Sequence, residues 1–282
     1  MVQLNHQSAQ PRMSQTKQPT VMIIGGAEDK VHGRQILSTF FQRAGGTDAA
    51  IAIIPCASRE PAAIGERYRK IFEEMAAQAI EIFDIRDRRE SENPQWHEFL
   101  QQRCTGVFIT GGDQLRLCGL MADTPLMNAV RTRAQLGDIA LAGTSAGAAI
   151  MGEYMIAGGG SGESPNRSLV DLTDGLNIIP QLIVDQHFHN RNRMARLMAA
   201  IAAHPDRLGI GIDEDTCTLF GERMFQVIGK GNVTVVDPSE LSYTNHPDVG
   251  TTDPLSIHNL RVSVLSHGDR YDFLKRRPLP RD

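Results

Sequence analysis

The first half of the chain alternates short apolar runs with longer amphipathic segments, and this alternation limits the possible folds more than any other feature. The apolar runs predict β-strands at 21–24, 50–54, 79–83, 106–110 and 139–142. The segments between them predict helices at 35–43, 64–77 and 115–133, the last of them interrupted at Pro125. Strands and helices that alternate in this way form a mostly parallel sheet with helices on both faces. The pattern therefore predicts an α/β fold.

The second half has a different pattern. Apolar runs that predict strands follow one another at hairpin spacing, at 208–212, 216–220, 224–228 and 233–236, after a strand at 182–184 and a helix at 194–203. This spacing indicates an antiparallel C-terminal extension of the sheet. No internal repeat, low-complexity block or linker divides the chain. We therefore expect one domain over 20–275, between a disordered polar tail at 1–19 and a C-terminal tail at 276–282.

Charge and composition exclude several classes of function. The formal net charge of the 282 residues is −4, so no basic field favours a nucleic-acid partner. The apolar runs are too short to span a membrane, and the first nineteen residues lack the apolar core of a secretory signal. The four cysteines form no CxxC pair, as expected for reduced thiols in a cytoplasmic protein.

Glycine-rich segments follow three of the predicted parallel strands, at 25–26, 111–113 and 143–147. Ligand and catalytic sites of parallel sheets lie at the carboxyl ends of the strands. The third segment, GTSAG, fits the G-x-S-x-G pattern, in which small residues allow a sharp bend that exposes the serine. Ser145 is therefore a candidate nucleophile, with the N–H of Ala146 as an oxyanion donor. The alternative interpretation is a turn that serves packing alone.

A nucleophilic serine needs a base, and two of the nine histidines directly follow a predicted strand, in DQHFHNR. His187 is the closer of the two to the strand end and is our candidate base, with His189 as the alternative. The H-x-H spacing could also form half of a metal site. Because no convincing partner ligands accompany the pair, we expect no metal.

The base needs an orienting carboxylate, and two glutamates are candidates. Glu163 follows the glycine-rich loop GGGSG, and Glu214 follows a predicted strand within DED. Residue patterns alone leave both open. Asp185, two residues before the candidate base, is expected to bind substrate instead.

Further candidates border the expected site. The second oxyanion donor is the N–H of Gly112 or of Asp113, and Gln114 then borders the pocket. Three arginines follow the histidines, and they form either a basic helix surface or a grip on a carboxylate of the substrate. These arginines are Arg191, Arg193 and Arg196.

Several segments together resemble the cyanophycinase family of serine peptidases, which is related to the α-aspartyl dipeptidases and, by fold, to the class I glutamine amidotransferases. The segments, in chain order, are IGGAEDK, FITGGDQLRL, AGTSAGAAIM, GGGSGESP, VDQHFHNRNRMARL and GIDEDT. The resemblance covers roughly residues 20 to 270. It implies a flavodoxin-like three-layer sandwich and a homodimer. It also implies hydrolysis of cyanophycin, a poly-aspartate with arginine on each side chain, to β-Asp-Arg dipeptides.

Carried over by residue, the resemblance makes Ser145 the nucleophile and His187 the base, and leaves Glu163 and Glu214 as alternatives for the acidic member. No metal or organic cofactor is implied. An α-aspartyl dipeptidase-like enzyme that acts on small peptides remains an alternative, as does a non-catalytic binding protein on the same scaffold. The serine at position 145, where glutamine amidotransferases have cysteine, disfavours that class. The implied substrate pocket consists of Gln114, Asp185, Gln186, Arg191, Arg193 and Arg196.

Overall fold

The computed structural model describes residues 19–162 and 164–281. Most of the predicted N-terminal tail and the candidate Glu163 lie outside these described residues. The strands are β1 (Thr20–Ile24), β2 (Ala50–Ile54), β3 (Ala79–Ile82), β4 (Gly106–Ile109), β5 (Ala140–Thr144), β6 (Tyr154–Gly158), β7 (Asp171–Asp174), β8 (Leu182–Gln186), β9 (Leu208–Ile212), β10 (Thr216–Phe220), β11 (Met224–Gly229), β12 (Val233–Asp237), β13 (Tyr243–Thr244), β14 (Ile257–His258), β15 (Arg261–Leu265), β16 (Arg270–Asp272) and β17 (Arg277–Leu279).

The α-helices include each amphipathic segment predicted from the sequence, and a further helix at 94–102 was not predicted. The predicted helix 115–133 is two helices, because Pro125 begins a new one and the Thr124 hydroxyl caps it by accepting the N–H of Met127 at 3.3 Å. The helices are α1 (Gln35–Arg43), α2 (Pro61–Glu74), α3 (Pro94–Gln102), α4 (Gln114–Met121), α5 (Pro125–Gln135), α6 (Ala146–Ala149) and α7 (Met194–Ala203).

The central sheet has a parallel half and an antiparallel half. Its strand order is β17-β16-β11-β10-β1-β5-β4-β2-β3. All pairs from β1 to β3 are parallel, and all pairs from β10 to β17 are antiparallel. This arrangement confirms the predicted α/β class, with a parallel sheet extended by antiparallel strands from the C-terminal half.

A second sheet, of order β15-β12-β9-β8, was not expected from the sequence. The hairpin spacing predicts that β9 pairs with β10, but β9 pairs with β8 and β12, and of the four strands at this spacing β10 and β11 form the hairpin. The short turn 213–215 carries the chain from one sheet to the other. Strand spacing alone does not show when a turn changes sheets.

The central sheet is covered on both faces. Alternate residues of β1 point to opposite faces, so that Val21 and Ile23 join one apolar cluster while Met22 and Ile24 join another. Helices α1 and α2 supply the second cluster, with Phe40 and Phe72. Helices α3 and α5 and the second sheet supply the first, and α7 covers the far side of the second sheet.

The C-terminal residues differ from the predicted tail at 276–282. Residues Arg277–Leu279 form β17, the edge strand beside β16. Arg277 and Pro278 are exposed, and charged residues and proline are common on edge strands.

The carboxyl ends of β1, β4 and β5 lie side by side, and the chain after β8 meets them there: the N–H of His187 donates to the carbonyl of Gly25 at 2.9 Å. Gly112, Ser145 and His187, which follow these strand ends, are thus gathered where the two sheets meet. None of the helices in the described ranges is long and apolar enough to cross a membrane.

Candidate active site

Ser145 lies on a strained bend between β5 and α6. Its φ and ψ are 52° and −109°, a conformation that residues other than glycine rarely adopt. Small neighbours make the bend possible: a Cβ at Gly143 would overlap the carbonyl of Gly147, and a Cβ at Gly147 would come within 2.5 Å of the carbonyl oxygen of Ile109. The bend therefore needs the glycines of the GTSAG segment, as the sequence pattern predicts.

The hydroxyl of Ser145 begins a chain of hydrogen bonds through two further side chains. Its Oγ lies 3.0 Å from Nε2 of His187, and Nδ1 of His187 lies 2.6 Å from Oε1 of Glu214. Glu214 belongs to the turn that links the two sheets, and its N–H donates to Oδ1 of Asn190 at 3.0 Å. The structure thus brings Ser145, His187 and Glu214 together with the geometry of a nucleophile, a base and an orienting carboxylate.

The ring of His187 fits beside the glycine pair that follows β1. A Cβ at Gly26 would overlap the imidazole, so this position has no room for a side chain. Burial lowers the pKa of His187 below its usual 6.5, and the charges of Arg191 and Arg193 lower it further, whereas the hydrogen bond to Glu214 opposes the shift. The imidazole is therefore neutral near pH 7 and can accept a proton.

His189 is directed to a different carboxylate. Its Nδ1 lies 3.0 Å from Oδ1 of Asp213, and its backbone N–H donates to the same oxygen at 2.9 Å. It is therefore His187, not His189, that lies against the serine. Within the ranges that the structure describes, no three His, Cys, Asp or Glu side chains are grouped as metal ligands would be.

The two candidates for the second oxyanion donor differ in what their amides contact. The N–H of Asp113 donates to the carbonyl of Ala57 at 2.9 Å, and the carboxylate of Asp113 caps α4 by accepting the N–H of Arg116 at 3.0 Å. The N–H and the carboxylate of Asp113 are therefore both engaged within the fold, which corrects the prediction of Asp113 as an oxyanion donor. Gly112 has a φ of 148°, and together with Ala146 it remains the candidate pair.

Two residues of the predicted substrate pocket instead form a buried ion pair. Asp185 is 1% exposed and Arg196 is 4% exposed, and Nε of Arg196 donates to Oδ2 of Asp185 at 2.7 Å. Nη1 of Arg193 also lies 3.2 Å from Asp185. The carboxylate is enclosed by guanidinium groups away from solvent. Asp185 and Arg196 therefore have a structural role, which corrects the prediction that they contact the substrate.

The other predicted pocket residues differ in exposure: Gln186 is buried, Gln114 and Arg193 are half-buried, and Arg191 is exposed. The Gln114 amide donates to the carbonyl of Ala157 at 2.7 Å, and Oε1 of Gln186 accepts from Arg193 at 3.1 Å. Arg191 is exposed, and its positive charge acts on His187. Gln114, Arg191 and Arg193 therefore remain candidates for substrate contact.

A buried carboxylate beneath Ser145 was not identified from the sequence. Glu28 is 3% exposed, and its Oε2 accepts the hydroxyl of Thr144 at 2.6 Å. Its Oε1 accepts the hydroxyl of Tyr68 and lies 3.0 Å from Nζ of Lys30. Glu28 does lie just after a strand end, which is a weak sequence signal, but its partner Tyr68 is 40 residues away and no pattern links the two.

The profile of peptidase family S51 matches residues 21–228, which include Ser145, His187 and Glu214. The chain belongs to peptidase family S51. Family S51 relatives of high identity carry one description, cyanophycinase. The protein from Trichormus variabilis is 61% identical over 281 residues, covering 99% of this chain and 94% of the relative. The protein from Geminocystis herdmanii is 60% identical over 268 residues, covering 95% of this chain and 98% of the relative.

Solved structures support the family S51 fold at lower identity. A peptidase from an acI-B1 Actinobacterium has a TM-score of 0.65 and 20% identity, covering 92% of this chain and 99% of that chain. A putative peptidase E from Listeria monocytogenes has a TM-score of 0.50 and 17% identity, covering 76% of this chain and 98% of that chain. These neighbours support the fold alone. Together with the profile match, they confirm the resemblance and the mixed α/β fold of this family S51 peptidase.

Proposed function

We propose that this family S51 peptidase is a serine-type exopeptidase that hydrolyses cyanophycin to β-Asp-Arg dipeptides, and that Ser145 lies on a nucleophile elbow. The observation that carries the proposal is the hydrogen-bonded series Ser145, His187 and Glu214 in a chain about 60% identical to cyanophycinases. By the same resemblance we propose a cytoplasmic homodimer.

Acylation begins with the attack of Ser145 Oγ on the scissile carbonyl carbon of the aspartyl backbone. His187 takes the hydroxyl proton at Nε2, and Glu214 stabilises the imidazolium through Nδ1. The N–H groups of Gly112 and Ala146 donate to the oxyanion of the tetrahedral intermediate. Two donors in this arrangement are worth several kcal/mol of barrier, roughly 3 kcal/mol for each.

Collapse of the intermediate releases the departing amine, which takes the proton from Nε2 of His187. Water then gives a proton to His187 and attacks the ester carbonyl carbon, so that its oxygen ends in the new carboxylate. The bond from the acyl carbon to Ser145 Oγ breaks, and His187 returns the proton to Oγ. Arg191 and Arg193 provide positive charge for the carboxylates of the acylating unit, and Gln114 provides a polar group. No step uses a metal or an organic cofactor.

The first experiment compares the release of soluble dipeptide from purified cyanophycin by the wild-type protein and by Ser145→Ala, with a metal chelator present throughout. We expect wild-type release to continue and the variant to lose about 10⁴-fold or more, because nucleophile and base act as a unit. Ser38→Ala, a change on α1, serves as the matched control and should keep full activity.

Turnover by a pure Ser145→Ala sample would refute the nucleophile. A folded wild-type protein that ignores the polymer but cleaves small α-aspartyl dipeptides would refute cyanophycin as the substrate. Loss of wild-type activity with the chelator would contradict the metal-free mechanism.

A further inference from the structure

A cavity of about 250 Å³ opens beside Ser145 and His187, next to Gly111. We call it the Lys30 pocket, and its other walls are Ala27, Glu28, Lys30, Ile64, Arg67, Tyr68 and Thr144. Because sites that enclose whole ligands usually measure about 300–1,000 Å³, this cavity fits part of a substrate. None of its walls belongs to the predicted group of Gln114, Arg191 and Arg193.

The acidic group in the Lys30 pocket is already saturated. The buried carboxylate of Glu28 accepts hydrogen bonds from the hydroxyls of Thr144 and Tyr68 and pairs with Lys30. It therefore cannot serve as an anionic grip for a guanidinium of the substrate without the loss of one of these partners.

The ammonium group of Lys30 has more N–H donors than Glu28 provides acceptors. An ammonium group has three N–H donors, and Glu28 provides two acceptors for Lys30, its carbonyl oxygen at 3.2 Å and Oε1 at 3.0 Å. One donor of Lys30 is therefore left for another acceptor, in the part of the chain that the structure describes. The contact with Glu28 also fixes the position of the ammonium.

Arg67 contributes a second positive charge. Its neighbours on α2, Arg69 and Lys70, pair with Glu66, whereas no carboxylate of the described residues lies within ion-pair distance of Arg67. Arg67 itself lines the cavity, so its positive charge is available there. Two positive groups against one negative group leave the Lys30 pocket net positive, next to the nucleophile.

The chemistry of the substrate requires anion-binding groups on both sides of the scissile bond. Every β-Asp-Arg unit has a free carboxylate on its arginine, so both the acylating and the departing unit carry negative charge. Arg191 and Arg193 are available to one unit. The departing amine must reach Nε2 of His187, and His187 forms a wall of the Lys30 pocket.

We propose that the Lys30 pocket is the subsite of the departing unit, in which Lys30 and Arg67 bind its carboxylate. This inference rests on the proposed function and identifies the residues that select the departing unit of the substrate. It explains why two cations face a cavity whose own carboxylate is already hydrogen-bonded on both oxygens.

The test uses two substrates that differ only in the departing group. One is the two-unit oligomer of β-Asp-Arg, whose departing unit carries carboxylates. The other is the α-p-nitroanilide of a single β-Asp-Arg unit, whose departing p-nitroaniline carries none. Arg67→Gln should lower kcat/KM about tenfold for the oligomer and less than about twofold for the anilide, since one charge-assisted contact is lost. Lys30→Gln should act in the same direction.

Two controls make the result specific. Lys70→Gln removes an exposed cation from the same helix and should leave both substrates unaffected. Amidation of the carboxylates in the departing unit of the oligomer should abolish the difference between wild type and Arg67→Gln.

Each remaining outcome overturns a defined statement. Unchanged oligomer hydrolysis in both Arg67→Gln and Lys30→Gln would refute the subsite. Equal losses on oligomer and anilide would also refute it, because the cations would then serve the acylating unit or the fold. A wild-type protein inactive on both substrates would refute the proposed function itself, together with the subsite that rests on it.

Discussion

Ser145 and His187, the proposed nucleophile and base, both have positive φ values, 52° and 50°. Such conformations cost about 1–3 kcal/mol each and persist only when the surroundings hold them. The end of β1 holds both: the N–H of Ser145 donates to Ile24 at 3.0 Å, and the N–H of His187 donates to Gly25 at 2.9 Å. Two consecutive carbonyls, of the last residue of β1 and of the residue after it, therefore position the proposed nucleophile and base relative to each other.

The lowered pKa of His187 predicts a specific pH dependence. The base must be neutral to accept a proton, so kcat/KM falls only when the pH drops through its pKa. Because burial lowers that pKa, the acid limb should have its midpoint below pH 6.5. Arg191→Gln removes a positive charge that lowers the pKa, so its acid limb should move to higher pH.

The measurement is a profile of kcat/KM between about pH 4 and 8 for wild type, Arg191→Gln and the control Lys70→Gln. The control should coincide with wild type. A wild-type midpoint above 6.5, or an Arg191→Gln profile that shifts to lower pH, would contradict the stated environment of His187.

For single residues, the sequence identifies the site candidates that follow strand ends. It misses residues whose role depends on a partner far away in the chain. Ser145 and His187 are recognisable because strand, bend and small neighbours are local in the chain. The choice of Glu214 depends on the turn between the two sheets, which no local pattern reveals. The hydrogen bond from the N–H of Asp113 to the carbonyl of Ala57 also joins segments far apart in sequence. The same is true of the hydrogen bond that buries Glu28 against Tyr68.

Among the elements, β8 and α7 are joined by the buried ion pair between Asp185 and Arg196. Strand β8 leads directly to His187. The ion pair therefore holds in place the strand that positions the proposed base. The bounds of α1 and α7 are those that the amphipathic pattern predicts, because one face of each helix is apolar. The pairing of β9 with β12 was not predictable, since strand patterns encode faces but not neighbours.

Breaking the buried pair should destabilise the protein strongly. Arg196→Leu leaves the carboxylate of Asp185 without its main partner, which should lower the free energy of unfolding by about 3 kcal/mol. Urea unfolding followed by circular dichroism measures this difference. The matched control is Arg69→Leu, which breaks exposed pairs on α2 and should have a far smaller effect. Equal free energies of unfolding for Arg196→Leu and the control would show that the buried pair does not stabilise the fold.

At the scale of the whole molecule, the site lies where two sheets meet. Ser145 follows a strand of the central sheet, His187 follows a strand of the second sheet, and Glu214 lies on the turn between them. The α/β class, the parallel half and the antiparallel extension could be predicted from the sequence. The second sheet could not, because two strands of the central sheet, β10 and β11, lie between β9 and β12 in the chain.

The edge strand β17 lies on the opposite side of β1 from the parallel half, four positions along the sheet. Removal of residues 277–282 should therefore lower the Tm by only roughly 2–4 °C and leave kcat/KM within about twofold of wild type, since an exposed edge strand contributes little. Thermal unfolding and the dipeptide-release assay measure both quantities. A truncated protein that is folded but inactive would contradict the independence of the site from this edge.

The strand order also has a consequence for synthesis on the ribosome. In the finished sheet β1 lies between β5 and β10, and β10 begins at Thr216. A growing chain that ends between Ser145 and Glu214 carries the serine, but it lacks both the glutamate and strand β10, which covers the open side of β1. The proposed series of serine, histidine and glutamate is therefore complete only late in translation, when most of the chain has been made.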